Sequence, residues 1–151
     1  MRYVSTRDNS KEYSFEEVFI KGLADDGGLY VPKSLKKYSK EELLKLKNLN
    51  YNELSTEIIS QFSADFISKE ELSSLINKSY STFREKEVVK TSNVGEIKLL
   101  ELFHGPTLAF KDVAMQFIGN LYDYYLNKNE KKNKHCCCNL WRHRCGSHKC
   151  N

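Results

Sequence analysis

The stretch Glu101-Leu102-Phe103-His104-Gly105-Pro106-Thr107-Leu108-Ala109-Phe110-Lys111-Asp112 changes character twice within a few residues. It closes an apolar run, Ile97–Phe103, which predicts a buried strand. His104-Gly105-Pro106 breaks that run. Thr107 is a candidate N-cap. The spacing of Phe110, Val113, Ala114, Phe117, Leu121 and Tyr124 predicts a helix from Leu108 to about Leu126. The charged residues 128–134 read as a solvated loop. Strand, tight turn, long helix and polar loop make half of a βαβ unit, so a parallel strand should follow. The expected fold class is α/β.

One residue of that helix is out of place. At about 100° per residue, Asp112, Gln116, Asn120 and Asp123 form its polar face. Lys111 instead shares a side with Met115, Ile118 and Tyr122, at the flank of the apolar stripe. It also lies in the first turn, where the helix dipole disfavours an ammonium. A lysine so placed and partly desolvated should have a depressed pKa and a free amine, as a lysine that attacks a carbonyl requires. A lysine that only snorkels its head to water over an apolar edge fits the wheel as well.

Upstream, the chain reads as a small, mostly helical module over residues 1–83 with one short strand pair. Tyr3–Ser5 is a candidate strand. Ser14 with Glu17, Ser39 with Glu42, and Ser68 with Glu71 are three capping boxes, each opening a helix. Phe15, Val18, Phe19 and Leu23 follow the first at helical spacing, and that helix should end near Gly22. Asp25-Asp26-Gly27-Gly28 is a turn, and Leu29-Tyr30-Val31 a strand stopped by Pro32. Leu54, Ile58, Ile59 and Phe62 mark another helix. Leu72, Leu75, Ile76, Tyr80 and Phe83 fall on one face of the helix from about Lys69. Asn93–Gly95 is a turn leading into the lysine segment.

Composition narrows the function classes. A chain of 151 residues, 40% hydrophobic and 29% charged, is globular rather than disordered. The N-terminus has no apolar run after its charges, and no stretch approaches the roughly 20 apolar residues of a membrane span. The expected setting is cytoplasmic, with no membrane partner. The net charge is +4, but three of those charges are Arg142, Arg144 and Lys149, in a tail of 17 residues without Asp or Glu. The rest carries no basic stripe of the kind that tracks phosphates, so no nucleic-acid partner is expected. All five cysteines (Cys136, Cys137, Cys138, Cys145, Cys150), the single tryptophan and three of the four histidines also fall in residues 135–151. So abrupt a change marks a segment of different origin.

The run Glu101–Asp112 resembles the lysine motif of threonine synthases, with the His104-Gly105-Pro106-Thr107 turn and Phe110-Lys111-Asp112 in place. Independently, Lys21-Gly22-Leu23-Ala24-Asp25-Asp26-Gly27-Gly28-Leu29-Tyr30-Val31-Pro32 is similar to that family's N-terminal signature, and Tyr3-Val4-Ser5-Thr6-Arg7 fits its opening. Two matches in the right order are far more specific than a lone glycine pattern. The resemblance runs from Met1 to about Lys134.

It implies the layered α/β fold of the tryptophan synthase β-subunit and its relatives, with pyridoxal 5′-phosphate (PLP) between the layers. The implied reaction converts O-phospho-L-homoserine and water to L-threonine and phosphate. Lys111 would hold PLP and then serve as general base and acid. His104, Gly105, Pro106 and Thr107 would form the turn that presents the lysine. Gly105 and Pro106 are read as turn formers, His104 as a hydrogen-bonded structural histidine, and Asp112 as an outer support of the lysine. Residues 1–83 would be the family's N-terminal module and residues 84–134 the start of its PLP-binding domain. The chain would then be the front third of such an enzyme, truncated and inactive alone.

Alternatives remain within the sequence. Another PLP lyase, a dehydratase or a cysteine-synthase-like enzyme, would share the fold, but those relatives lack the Gly22–Pro32 signature. A non-catalytic fragment with a Cys/His metal-binding tail is the other; the tail's spacing suits tetrahedral zinc poorly, and no metal is expected. The tail has a further reading. One base later, the codons for residues 135–149 admit Ile-Val-Val-Val-Thr-Ser-Gly-Asp-Thr-Gly-Ala-Ala-Ala-Ile. Trp141 has one codon, and before arginine it must yield glycine; Cys136–Cys138 can yield only valine or alanine. The hidden peptide is a β-branched strand followed by a polar glycine loop, and it resembles the family's Thr-Ser-Gly-Asp-Thr-Gly substrate loop. The tail is expected to be the product of a one-nucleotide frameshift.

Overall fold

The computed structural model describes residues 1–129. In chain order these form β1 (Tyr3–Ser5), α1 (Phe15–Lys21), β2 (Tyr30–Pro32), α2 (Lys40–Leu46), α3 (Tyr51–Ser63), α4 (Lys69–Tyr80), β3 (Lys90–Val94), β4 (Ile97–Glu101) and α5 (Asp112–Lys128). The described residues thus combine helices with two small sheets. The tail from His135, and with it the frameshift and metal readings, lies outside the described residues.

The first four helices start as their sequences dictate. Ser14, Ser39 and Ser68 each accept from the backbone N–H three residues on, and Glu17, Glu42 and Glu71 reach back to the cap. Asn50 and Glu53 make a fourth box at α3 that the sequence reading had passed over. Each lock satisfies N–H groups that would otherwise lack partners.

β1 and β2 pair antiparallel, with Val4 opposite Val31. The turn before β2 is tied to β1 through Asp26. Its Oδ1 accepts from Ser5 Oγ at 2.9 Å and from Gly28 N at 2.8 Å. Those two bonds hold the Asp26 carboxyl below its ordinary range. A Cβ at residue 28 would overlap Ser5 Oγ and sit 2.9 Å from Asp26 Oδ1. The glycine is therefore a packing requirement.

α4 is the centre of the core. Leu72 and Ile76 are fully buried, and Phe66, Ile67, Leu75, Tyr80, Val88, Leu121 and Tyr125 close around them. Burying each of the large aliphatic side chains is worth about 1.5–3 kcal/mol. Aromatic rings carry this core toward the N-terminus. Phe66 meets Phe15 at 5.7 Å and Tyr124 at 5.6 Å, and Phe19 meets Tyr122 at 4.4 Å. The Tyr3 hydroxyl donates to Phe62 O at 2.9 Å, and burial pushes its ionisation up to about 12. One core therefore draws on both sides of residue 83.

Two expectations need correction. The parallel strand expected after the helix lies outside the described residues, and the run Ile97–Phe103 was expected to be a buried strand. Instead β4 ends at Glu101 and pairs antiparallel with β3 around the two-residue turn Gly95-Glu96. Ile97, Leu99 and Leu100 are exposed, because the hairpin has no layer against its faces among the described residues. The expected helix start at Leu108 is also displaced. Thr107 does not cap it, and α5 begins at Asp112. Leu108 has a φ of 60°, outside the helical region, with its N–H donating to Gly105 O at 3.1 Å, so the intervening residues form turns.

Candidate functional site

The segment between β4 and α5 is held at both ends. At the first, Glu101 Oε2 lies 2.7 Å from His104 Nε2, with both side chains mostly buried. The Glu101 carboxyl is drawn below its ordinary range by the Ser92 hydroxyl and then by His104. The His104 carbonyl accepts from Arg84 N at 2.9 Å, and its ring lies 4.7 Å from that of Phe103. His104 is thus the hydrogen-bonded histidine that the sequence suggested. Its partner Glu101 stands three residues back, at the end of β4, and the sequence alone assigns it no role.

At the second end, Asp112 is almost wholly buried, at 4% exposure. The helical wheel had put it on the polar, outward face. It turns inward because its carboxylate has partners there: Thr107 N at 2.8 Å to Oδ2, and Thr107 Oγ1 at 2.7 Å to Oδ1. Gly105 packs directly against it. A Cβ on Gly105 would overlap the Cβ, Cγ and Oδ2 of Asp112. Gly105 is buried, while Pro106 and Thr107 face outward. α5 is anchored in turn by Tyr80, whose hydroxyl donates to Val113 O at 2.9 Å. Burial, and then Tyr51 nearby, push the Tyr80 phenol well above its ordinary range.

Lys111 stands between these anchors, immediately before α5, with φ −64° and ψ −23°. Its carbonyl accepts the first helical bonds, from Met115 N at 2.8 Å and Ala114 N at 3.1 Å. Its side chain is exposed, and among the described residues its amine has neither an ion pair nor a hydrogen bond. The desolvation expected from the wheel is thus not supplied by these residues, because the lysine precedes the helix. Leu108 (52% exposed) and Phe110 (66%) flank it as open apolar surface. The structure therefore gathers His104, Gly105, Pro106, Thr107, Lys111 and Asp112 into one short segment. It leaves a single unpaired primary amine beside apolar surface. Leu108's positive φ had no clear sign in the sequence, since leucine disfavours it.

The family model described as threonine synthase N terminus matches residues 2–80. The chain belongs to the threonine synthase family. It is 41% identical to the threonine synthase of Schizosaccharomyces pombe over 140 residues, covering 88% of this chain and 27% of that one. Among solved structures it is similar to the PLP-bound threonine synthase of Brucella melitensis, with TM-score 0.82 and 36% identity, covering 87% of this chain and 28% of that one. It is also similar to the yeast threonine synthase, with TM-score 0.81 and 39% identity, covering 89% and 28%. The chain thus spans less than a third of the length of these relatives. No helix among the described residues is long and apolar enough to cross a membrane.

Proposed function

We propose that this chain supplies the N-terminal module, over residues 1–83, and the cofactor lysine of a PLP-dependent lyase that converts O-phospho-L-homoserine and water to L-threonine and phosphate. The observation that carries the reading is Lys111, an exposed amine without a partner among the described residues, placed by a fixed turn at the start of α5. The donor chemistry fits PLP. A primary amine is the group that joins its aldehyde, and the adjacent Asp112 carboxylate is engaged by Thr107 instead. The apolar Leu108 and Phe110 would border the ring.

Bound there, PLP supplies an electron sink for substrate carbanions. Lys111 Nζ would hold the cofactor, yield it to the substrate amine, and then move protons at the substrate carbons. His104 and Asp112 act on the turn, with His104 Nε2 engaged by Glu101 and both Asp112 carboxylate oxygens engaged by Thr107. The cytoplasm is the proposed setting, and small molecules are the proposed partners.

In a full-length version of this protein, borohydride reduction in the presence of PLP should fix the cofactor to the peptide containing Lys111, read by mass spectrometry. Label confined to other lysines would refute the assignment. Lys111→Arg should leave no specific label, because a guanidinium stays protonated. The 151-residue chain by itself should release no phosphate from O-phospho-L-homoserine, since the residues described offer the lysine but no enclosing pocket around it. Release above a no-enzyme control would contradict this.

A further inference from the structure

α5 opens without an ordinary cap. Lys111 occupies the cap position and makes no side-chain bond to the helix, so the entry angle of the chain is not fixed in the manner of α1 to α4. The amine of Lys111 has no partner among the described residues either. The point at which its side chain leaves the chain is therefore set by the backbone alone. We propose that Asp112 is the positioning residue for Lys111: its carboxylate clamps Thr107 to the start of α5 and so fixes where the lysine leaves the chain. The inference rests on the reading of Lys111 as the cofactor lysine.

The clamp closes a loop around the lysine. Asp112 reaches back five residues to both the N–H and the hydroxyl of Thr107, at 2.8 and 2.7 Å. Bonds to an ionised acceptor are the strong kind, and an anion here also faces the positive end of α5. Within the loop, Leu108 sits at a φ of 60°. A leucine there is strained and persists only when its surroundings over-determine it. The clamp and the Leu108 N–H bond to Gly105 O supply that constraint. Gly105 lets the backbone close on Asp112 with no space left between them. On the other side, the Lys111 carbonyl is engaged by Ala114 and Met115. Lys111 is thus the hinge between two anchored pieces, and releasing either one frees it.

The alternative is that Asp112 adds stability without placing the lysine. Amide hydrogen exchange on the 151-residue chain separates the two, because it reads single sites. Thr107 N–H reports the clamp, Met115 N–H reports the Lys111 carbonyl, and Ile76 N–H reports the core. Asp112→Asn should cost about tenfold or more in protection at both Thr107 and Met115, with Ile76 unchanged. Thr107→Val should lower Met115 protection by a smaller factor, and Thr107→Ser should restore it. Loss confined to Thr107, or equal loss at Ile76, overturns the proposal. If Asp112→Asn does not fold, the threonine pair decides: equal Met115 protection in Thr107→Val and Thr107→Ser overturns it. Borohydride labelling is scored separately. Label away from Lys111 overturns the cofactor reading, while the exchange pattern still tells whether the clamp holds residue 111.

Discussion

Replacing Gly105 by alanine tests the packing under the lysine most directly. Gly105 is buried, and an added Cβ would overlap three atoms of Asp112. The first of these, Asp112 Cβ, is fixed to the start of α5 and cannot swing away like the end of a long side chain. Overpacking of this kind typically costs about 1–3 kcal/mol. The backbone at Gly105 is not in the left-handed region, so alanine brings no conformational strain of its own. It also lowers the entropy of the unfolded chain, a gain of about 0.4–1 kcal/mol. The overlap should win, leaving a net loss on the order of 1–2 kcal/mol. At about 2–4 °C per kcal/mol for a chain of this size, Tm should fall by roughly 2–8 °C. Urea unfolding followed by far-ultraviolet circular dichroism measures the same loss as a lower midpoint at unchanged slope. A midpoint equal to or above that of the parent chain would refute the overlap argument, and with it the claim that Gly105 is needed for close approach.

Asn50→Ala should cost about 1 kcal/mol by removing the cap of α3, read as a lower urea midpoint; an unchanged midpoint would show that Glu53 alone holds that helix start. Stability should also decline in alkali. Tyr3 ionises at about 12 when folded against 10.0 otherwise, so its contribution is complete below pH 10 and lost as pH rises toward 12. Tyr80 is shifted in the same direction. Urea midpoints measured between pH 8 and 11 should therefore fall above about pH 10, and Tyr3→Phe should flatten that fall; an equal slope in the variant would refute the assignment.

What the sequence revealed depended on how local the cause was. The boxes at Ser14, Ser39 and Ser68 are complete within four residues, and all three were legible. The Asn50 box obeys the same rule, with asparagine in place of serine as the cap. β4 was misjudged because an apolar run does not say whether anything covers it. Its partner β3, Lys90-Thr91-Ser92-Asn93-Val94, is too polar to stand out as a strand. Lys111 takes its expected role from the motif around it; its place on the flank of an apolar stripe is not realised, because it precedes α5. The inward turn of Asp112 was not legible, because a wheel drawn from Leu108 assumes a helix that had not yet begun. The backward reach to Thr107 spans five residues, a local turn contact that helical periodicity does not encode.

The four capping boxes bear on the order in which the chain takes shape. Each needs only residues within its own first turn, so α1 to α4 are each given their starting point without help from later sequence. α5 has no such private signal and begins where the Asp112 clamp and Tyr80 hold it. During synthesis the earlier helices are therefore biased toward their ends while the lysine segment is still inside the ribosome. Leu121 and Tyr125 then arrive at a surface already laid out by Ile76 and Tyr80. Among the described residues Lys111 stands at the start of the last helix in chain order, and the Asp112 clamp beside it closes only once that helix has formed.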